Sequence, residues 1–406
     1  LASLGVRVGV LTGDTPTAAR DRAFSLLGAG KLDIVLTTPE FLSIHRARFA
    51  ASRRIGFVVV DEAHHVAGAK GGDRTAYLDM PQILHDLLDP TVLAVTATVA
   101  AEICRLLPVD AQVVDAAVRE NLELDDGRDL SSRENRLVSI VATGQKSVVY
   151  VNSRDQAQAL CRTLRRRVPE LGARIAFYHA GLTRSERASV EAAFRDGELA
   201  CIVSTSAFGE GVNIPDIRHV VLYHMPFGDI EFNQMSGRAG RDGQPAGIHL
   251  LFNRGDCSLN ERILRDMTPD HDCLAQVYRR LRSLQREMGE CFFTMGNADL
   301  AAAASTDAFP ISPASAACGV AVFRELGLIE THTAFGADGM ARSIHVVETQ
   351  DKVELTDSVR YREGLGEREV FHAFRDWAMK SDSATLHIRV SRPILPGDAA
   401  GDARER

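Results

Sequence analysis

Short runs that are apolar at almost every position recur along the chain, separated by stretches long enough for a helix. In the first part they are residues 5–11, 33–36, 55–60 and 92–95. Further on come 147–151, 174–177, 200–203, 219–223 and 247–252, with helical stretches at 155–167 and 184–194. A run that is apolar throughout, rather than alternating, predicts a strand of a parallel sheet covered on both faces. Two such series in succession predict an α/β fold with two parallel-sheet domains. Each strand delivers polar residues at its C-terminal end, where open α/β sheets place their ligands.

Between the two series, residues 119–136 are polar and acidic, with Asp125-Asp126-Gly127 as a turn, and read as a linker. After the second series, residues 259–289 are helix-like. A helix over 312–326, a strand from 327–330, a turn at Ala337-Asp338-Gly339 and a return over 343–347 make a winged-helix pattern. That pattern suggests duplex contact through the 312–326 helix or the wing, or equally a packing module with no nucleic-acid role. Residues 366–380 read as helix, and disorder is expected from Pro393 onward. The expected divisions are 1–117, a 118–136 linker, 137–255, a helical segment 256–304, a winged-helix-like domain 305–350, and a C-terminal helix and tail 351–406.

Charge changes this picture only locally. A net charge of −7 does not advertise nucleic-acid binding for the whole chain, and the basic clusters at 162–167 and 279–286 read as solvated helix faces unless something else recruits them. The seven cysteines are scattered, without a Cys-x-x-Cys pair, which argues against a disulfide framework and for a reducing, cytoplasmic setting. No apolar run reaches membrane-spanning length, so no membrane partner is expected.

The candidate chemistry sits at the strand ends. Asp61-Glu62-Ala63-His64 follows an apolar run. Adjacent carboxylates there can hold Mg²⁺, commonly through water, and orient an attacking water. Residues 204–215 join a buried run to a loop with Gly209 and Gly211, and Arg238 and Arg241 follow three apart. Glycines allow close approach of backbone to phosphate, and two arginines on one helix face can bind one anion.

These stretches resemble motifs V and VI of superfamily 2 helicases, and Arg238-Ala239-Gly240-Arg241-Asp242-Gly243 is most similar to the RecQ family. The resemblance implies two RecA-like domains, the first incomplete. It makes Asp61-Glu62-Ala63-His64 the Walker B box, with His64 near the nucleotide. Thr96 and Thr98 of Thr96-Ala97-Thr98 resemble motif III, which couples the ATP site to domain movement. Thr38 and Pro39 resemble motif Ib, Asn152, Ser153 and Arg154 motif IV, and His179 motif IVa. With Thr205 of motif V, these are expected along the nucleic-acid track. The alternatives are a strand-to-helix turn at Thr38-Pro39 and a satisfied strand-end histidine at His179.

Gly209, Gly211, Asn213, Gln234, Arg238 and Arg241 are expected at the nucleotide, with Arg241 as arginine finger and Arg238 beside it. Asn213 stands where the family often has aspartate. Arg119-Glu120-Asn121-Leu122 is similar to the Arg-Pro-Asn-Leu that opens the second RecQ domain, without the proline. The implied cofactors are ATP and Mg²⁺, and the implied partners are single-stranded and duplex DNA, with repair proteins or a nuclease as further partners. Residues 357–361 and 366–380 resemble C-terminal segments of RecJ-type exonucleases and helicases fused to them.

Other features of these resemblances are missing from the chain. No Gly-x-x-x-x-Gly-Lys-Ser/Thr P-loop is present, and the chain begins at Leu1 in mid-pattern, so an N-terminal truncation of the first domain and poor ATP binding are expected. The loop after His64, 65–77, has Tyr77 as its sole aromatic, where RecQ proteins are aromatic-rich. The cysteines after 256 lack paired spacing, so no zinc site is expected. No metal-binding Asp/His cluster of a nuclease is present. The favoured reading is a 3′→5′ ATP-dependent DNA helicase of repair or recombination. A DEAH-class RNA helicase, or a degenerate motor that only binds nucleic acid, are the competing readings.

Overall fold

The computed structural model describes residues 5–63, 66, 77, 79–96, 101–115, 117–208, 212–289, 292–336, 339–348 and 353–392. His64, Thr98, Gly209, Gly211, most of the 65–77 loop, the turn at 337–338 and the tail from 393 lie outside them. The chain divides into two compact units, residues 1–114 and 115–406. Among the described residues no helix is long and apolar enough to cross a membrane.

In the first unit, β1 (Val8–Leu11) pairs in parallel with β2 (Ile34–Thr37), and β3 (Phe57–Val60) in parallel with β4 (Thr91–Ala94). Helices Thr17–Gly28, Pro39–Ile44, Arg46–Ser52 and Met80–Asp86 contribute Phe24, Phe41, Phe49, Ile83 and Leu84 to its core. The expectation that these strands are covered on both faces needs correction. Val10, Leu36, Phe57, Val59 and Leu93 are each about half exposed. They alternate with inward residues, so the described helices cover only one face of each strand pair.

The second unit is built on a six-stranded sheet in the order β5 (Leu122–Asp126), β10 (Ala246–Leu250), β9 (His219–Leu222), β6 (Ser147–Tyr150), β8 (Cys201–Ser204), β7 (Ile175–Tyr178). Every pairing is parallel. Alternate residues build two separate cores. Val148, Tyr150, Ile202, Val220 and Leu222 face one side, and Val149, Cys201, Val203 and Val221 the other. Helices Arg133–Val141 and Arg154–Arg167 close the second face. The first is closed by Phe194 of helix Arg184–Arg195, Phe232 of helix Asp229–Ser236, and two C-terminal helices.

Those C-terminal helices correct the expected boundaries. Helix Val359–Lys380 starts well before residue 366, capped by the Ser358 hydroxyl on Tyr361 N at 3.1 Å. It and helix Ser383–Ser391 bury Phe371, Phe374, Ala378, Leu386 and Val390 against the parallel sheet. Arg128 fastens them by donating to the carbonyls of Ala378 and Ser381. Residues 371–390 therefore cover the second parallel-sheet domain, while Tyr361 at the start of the long helix packs into the core of the winged-helix part.

The expected 118–136 linker likewise contains β5, the edge strand beside β10. Its acids are neutralised in place: Asp125 by Arg136 at 2.7 Å and Asp126 by Arg128 at 2.7 Å.

The winged-helix pattern is present but wider than 305–350. Pro269 splits the long helical stretch into Arg254–Met267 and His271–Met288. The second of these, β11 (Phe293–Met295), helices Asn297–Ala304 and Pro313–Glu325, and the hairpin β12 (Ile329–Gly336) and β13 (Gly339–Val346) share one core. The sheet is antiparallel in the order β11-β13-β12. Helix Pro313–Glu325 buries Ser315, Ala316, Cys318, Val320, Val322 and Phe323 and carries one basic residue, Arg324. That composition fits a packing helix and offers little to a phosphate backbone.

Candidate nucleotide and nucleic-acid site

In the first unit, Asp61 and Glu62 stand exposed directly after β3. The Glu62 amide donates to its neighbour's carboxylate, Asp61 Oδ1, at 2.9 Å. Glu62 has φ +49°, in the left-handed region that costs a non-glycine residue about 1 kcal/mol or more. This kink breaks the strand direction at the two acids, and Ala63 N then bonds Val95 O at 2.9 Å, tying the turn to the end of β4. Thr96 follows β4 by two residues, as Glu62 follows β3, in a strand pair whose register joins Val60 to Ala94. Both candidate positions therefore sit at the same edge of one parallel pair. Backbone strain at such an edge is a recurrent property of functional sites.

Thr38 and Pro39 form the start of a helix. The Thr38 hydroxyl accepts from Phe41 N at 3.3 Å, and Pro39 occupies the first helical position. The capping geometry is that of a strand-to-helix turn.

In the second unit, the glycine-bearing loop and the two arginines are brought together. The Arg238 Nη1 donates to Val212 O at 3.1 Å, and Arg241 Nη1 lies 3.4 Å from Asn213 Oδ1. Arg241 Nε also donates back to Gly237 O at 3.1 Å. Arg238 is half-buried and Arg241 exposed, and Gln234 lies half-buried on helix Asp229–Ser236. That helix ends with Gly237, which leaves the arginine segment as a turn rather than a continued helix. The two arginines would share one face only if the segment were helical; in this turn Arg238 meets Val212 O and Arg241 meets the Asn213 side chain.

Tyr150 anchors the first part of this loop. Its side chain is buried, and its hydroxyl donates to Phe208 O at 3.0 Å. Burial pushes the hydroxyl's pKa up, so it remains a donor. Tyr150 opens the stretch that resembles motif IV, but nothing in the sequence pointed to its bond with Phe208. Thr205 is half-buried, with its amide on Tyr178 O at 3.3 Å and its hydroxyl near Ala207 N at 3.5 Å.

The motif IV and IVa candidates divide. Asn152 turns its amide inward, donating to Met225 O at 2.8 Å and to Asn260 Oδ1, while its backbone N meets His224 Nδ1 at 3.2 Å. This is a part-buried network that engages the Asn152 side-chain amide with the framework. Ser153 caps the following helix by accepting from Gln156 N at 3.2 Å. Arg154 remains exposed. His179 is buried, with Nε2 3.1 Å from Gln158 Nε2 and Nδ1 without a hydrogen-bond partner among the described residues. A side chain at Gly181 would come within 3.1 Å of Arg154 and 3.2 Å of His179 Nδ1, so Gly181 keeps these two groups adjacent.

Comparison with known proteins follows the same division. The model of the DEAD/DEAH box helicase family matches residues 1–106, and that of the helicase conserved C-terminal domain matches residues 132–243. The probable ATP-dependent DNA helicase RecS of Bacillus subtilis is 31% identical over 276 residues, which is 66% of this chain and 55% of that protein. The RecQ-like DNA helicase blm-1 of Caenorhabditis elegans is 28% identical over 288 residues, 66% of this chain and 28% of that protein. The chain thus spans about half or less of the length of these relatives. Among solved structures, the helicase MrfA bound to DNA aligns with a TM-score of 0.52 at 20% identity, covering 61% of this chain and 38% of that one. The DEAD-box helicase Mss116 bound to single-stranded RNA aligns at 0.50 and 19%, covering 64% and 55%. The two structures establish the likeness of fold.

Proposed function

This chain belongs to the superfamily 2 helicases and is RecQ-like, and from that premise we propose that it forms the motor of an ATP-dependent DNA helicase, moving 3′→5′ in DNA repair or recombination. The observation that carries this reading is the apposition of Arg241 to Asn213 and of Arg238 to Val212, which joins the arginine loop to the glycine-bearing loop. An exposed guanidinium beside a glycine-bearing loop suits a triphosphate, since guanidinium and backbone N–H groups both donate to anionic oxygens.

The donor set fits Mg²⁺ and ATP. Asp61 and Glu62 are hard oxygen ligands, exposed at a strand end, of the kind that hold Mg²⁺ through water. Bound Mg²⁺ would neutralise charge developing on the transferred phosphoryl group. Glu62 would orient the attacking water, and Arg241, with Arg238 beside it, would stabilise the γ-phosphate oxygens, an effect worth roughly 10³-fold or more in rate. Arg154, His179 and Thr205 would follow the nucleic-acid backbone. DNA is favoured over RNA because RecS and blm-1 are described as DNA helicases.

The test uses a chain that carries these residues together with a P-loop segment. Glu62→Gln and Arg241→Ala are expected to abolish hydrolysis and leave DNA binding largely intact. Wild-type turnover in either variant overturns the assigned roles. Stimulation of hydrolysis by RNA but not by DNA overturns the choice of substrate.

A further inference from the structure

Arg119 sends its guanidinium into the loop that carries Arg238 and Arg241. Its Nη1 donates to Gly237 O at 3.3 Å, and its Nη2 to the carbonyls of Ala239 and of Gly240, the latter at 2.8 Å. Asn121 adds two more bonds from Nδ2, to Gly240 O and Gln244 O, each 2.8 Å. The carbonyls held in this way flank Arg238 on both sides and directly precede Arg241. A planar guanidinium can serve several carbonyls at once in a fixed fork, which a lysine ammonium cannot reproduce.

The loop is shaped to receive this clamp. Gly240 has φ +52°, and a Cβ there would lie 2.6 Å from Asn121 Nδ2 and 2.8 Å from Gln244 O. A glycine is required both by the backbone and by the close approach. On the far side, Arg218 pairs with Asp242 at 2.5 Å and donates to Pro245 O at 3.0 Å.

Arg119 is itself tethered. Its backbone amide donates to Ser391 O at 2.7 Å, at the end of helix Ser383–Ser391. The same helix end reaches the helix that leads into the arginine loop, with Asn233 Nδ2 3.5 Å from both Arg389 O and Arg392 O. Arg389 lies over the Trp377 ring at 4.7 Å and 3.7 Å from Asp229. A continuous set of contacts therefore runs from the C-terminal helix through Arg119 to the two arginines.

We infer that Arg119 is a positioning residue for Arg238 and Arg241, hung from the C-terminal helix Ser383–Ser391 and aiming the two guanidinium groups by holding the carbonyls of residues 237, 239 and 240. The inference rests on the reading of Arg238 and Arg241 as the groups that face the γ-phosphate. It adds that the C-terminal layer takes part in turnover without touching the nucleotide. A small misplacement of a catalytic group is enough to lower a rate by up to about 100-fold.

The experiment compares Arg119→Lys, Arg119→Ala and Arg241→Ala in a chain that also carries a P-loop segment. Both Arg119 variants are expected to lower kcat for ATP about tenfold or more, with KM changed less than about twofold. Guanidinium ion at millimolar concentration is expected to restore part of the activity of Arg119→Ala and none of Arg119→Lys. In the 406-residue chain, hydrogen exchange of Arg119→Lys is expected to quicken at residues 238–243 and to leave β6, β8 and β9 unchanged. Unchanged kcat in both Arg119 variants, with Arg241→Ala inactive, overturns the inference. So does a loss of protection spread evenly over the sheet, which would mark a merely structural residue. Unchanged turnover in Arg241→Ala overturns the underlying assignment instead.

Discussion

Arg241 and Asn213, 28 positions apart, meet at 3.4 Å, with the arginine Nη1 as donor and the asparagine Oδ1 as acceptor. Both side chains are exposed. The contact joins the two loops on which the proposed chemistry depends, and it does so with one neutral acceptor. Replacing that acceptor by a carboxylate would make the bond charge-assisted.

Asn213→Asp is therefore expected to stabilise the chain slightly, by about 0.2–1 kcal/mol at low salt, the usual range for an exposed ion pair. Screening at about 1 M salt should remove the gain. Urea unfolding of the two chains at low and high salt measures it. A gain that persists undiminished in high salt would show that the new carboxylate acts elsewhere.

Tyr150→Phe removes the hydroxyl that holds Phe208 O and leaves that carbonyl without its buried donor. The expected loss is about 1–3 kcal/mol. Urea unfolding should show a lower midpoint at an unchanged slope, because no surface is newly exposed. Hydrogen exchange at residues 205–208 should quicken in step with it.

A pH dependence follows from the chain of side chains under β5. Gln145 Oε1 meets His219 Nε2 at 2.9 Å, His219 Nδ1 meets His249 Nε2 at 3.1 Å, and His249 Nδ1 meets Asp125 Oδ2 at 2.7 Å, with Arg136 on the same carboxylate. Burial, then the facing His249, Arg136 and Arg218, bring the pKa of His219 down to about 4. Burial also lowers His249, against the opposing pull of Asp125. In the unfolded chain a histidine takes up its proton near 6.5. Between about 6.5 and 4 the unfolded state thus binds more protons, and stability falls as the pH falls through that window. Below about 4 the contribution of His219 is flat. His219→Gln is expected to lessen the slope of stability against pH between 6.5 and 4, measured by urea unfolding at fixed pH values. An unchanged slope would remove His219 as its source.

These contacts show why parts of the molecule were legible in the sequence and parts were not. The inner strands declared themselves because both of their faces are buried, as in Val148, Val149 and Tyr150. The edge strand β5 did not, since its Leu-Glu-Leu-Asp-Asp reads as polar linker until His249, 124 positions away, is placed against Asp125. The sequence singles out the arginines by their spacing and the carboxylates by the apolar run before them. Their supports were not legible, because Arg119 acts on carbonyls about 120 residues distant, and carbonyls leave no mark on a sequence. The Arg-x-Asn-Leu likeness at 119–122 was the one available signal for that clamp. The partners of Asn152 are equally invisible in the sequence, because Met225 and Asn260 lie far along the chain.

The attachment of the C-terminal layer offers the most direct test of its place in the fold. Helix Val359–Lys380 crosses the end of helix Arg254–Met267 at Gly364, where a Cβ would fall 1.8 Å from Thr268 Oγ1 and 2.8 Å from Thr268 Cβ and Cγ2. The Thr268 amide is held by Leu264 O at 2.8 Å, so the threonine cannot retreat without loosening its own helix end. Arg368 reinforces the crossing, donating to Thr268 O at 3.3 Å and to Asp270 at 2.7 Å. Gly364→Ala would gain a little helix propensity, under about 1 kcal/mol, and lose more to overpacking, typically about 1–3 kcal/mol. The net expected effect is destabilisation, read as a lower midpoint in urea unfolding and as faster proteolysis of residues 353–392. Thr268→Gly in the same chain removes all three clashing atoms and is expected to restore the protection of that segment even though it weakens the helix end. Protection unchanged by Gly364→Ala would mean that the two helices do not meet at this glycine, and that the layer is held by its other contacts, such as Phe371, Phe374 and Leu386.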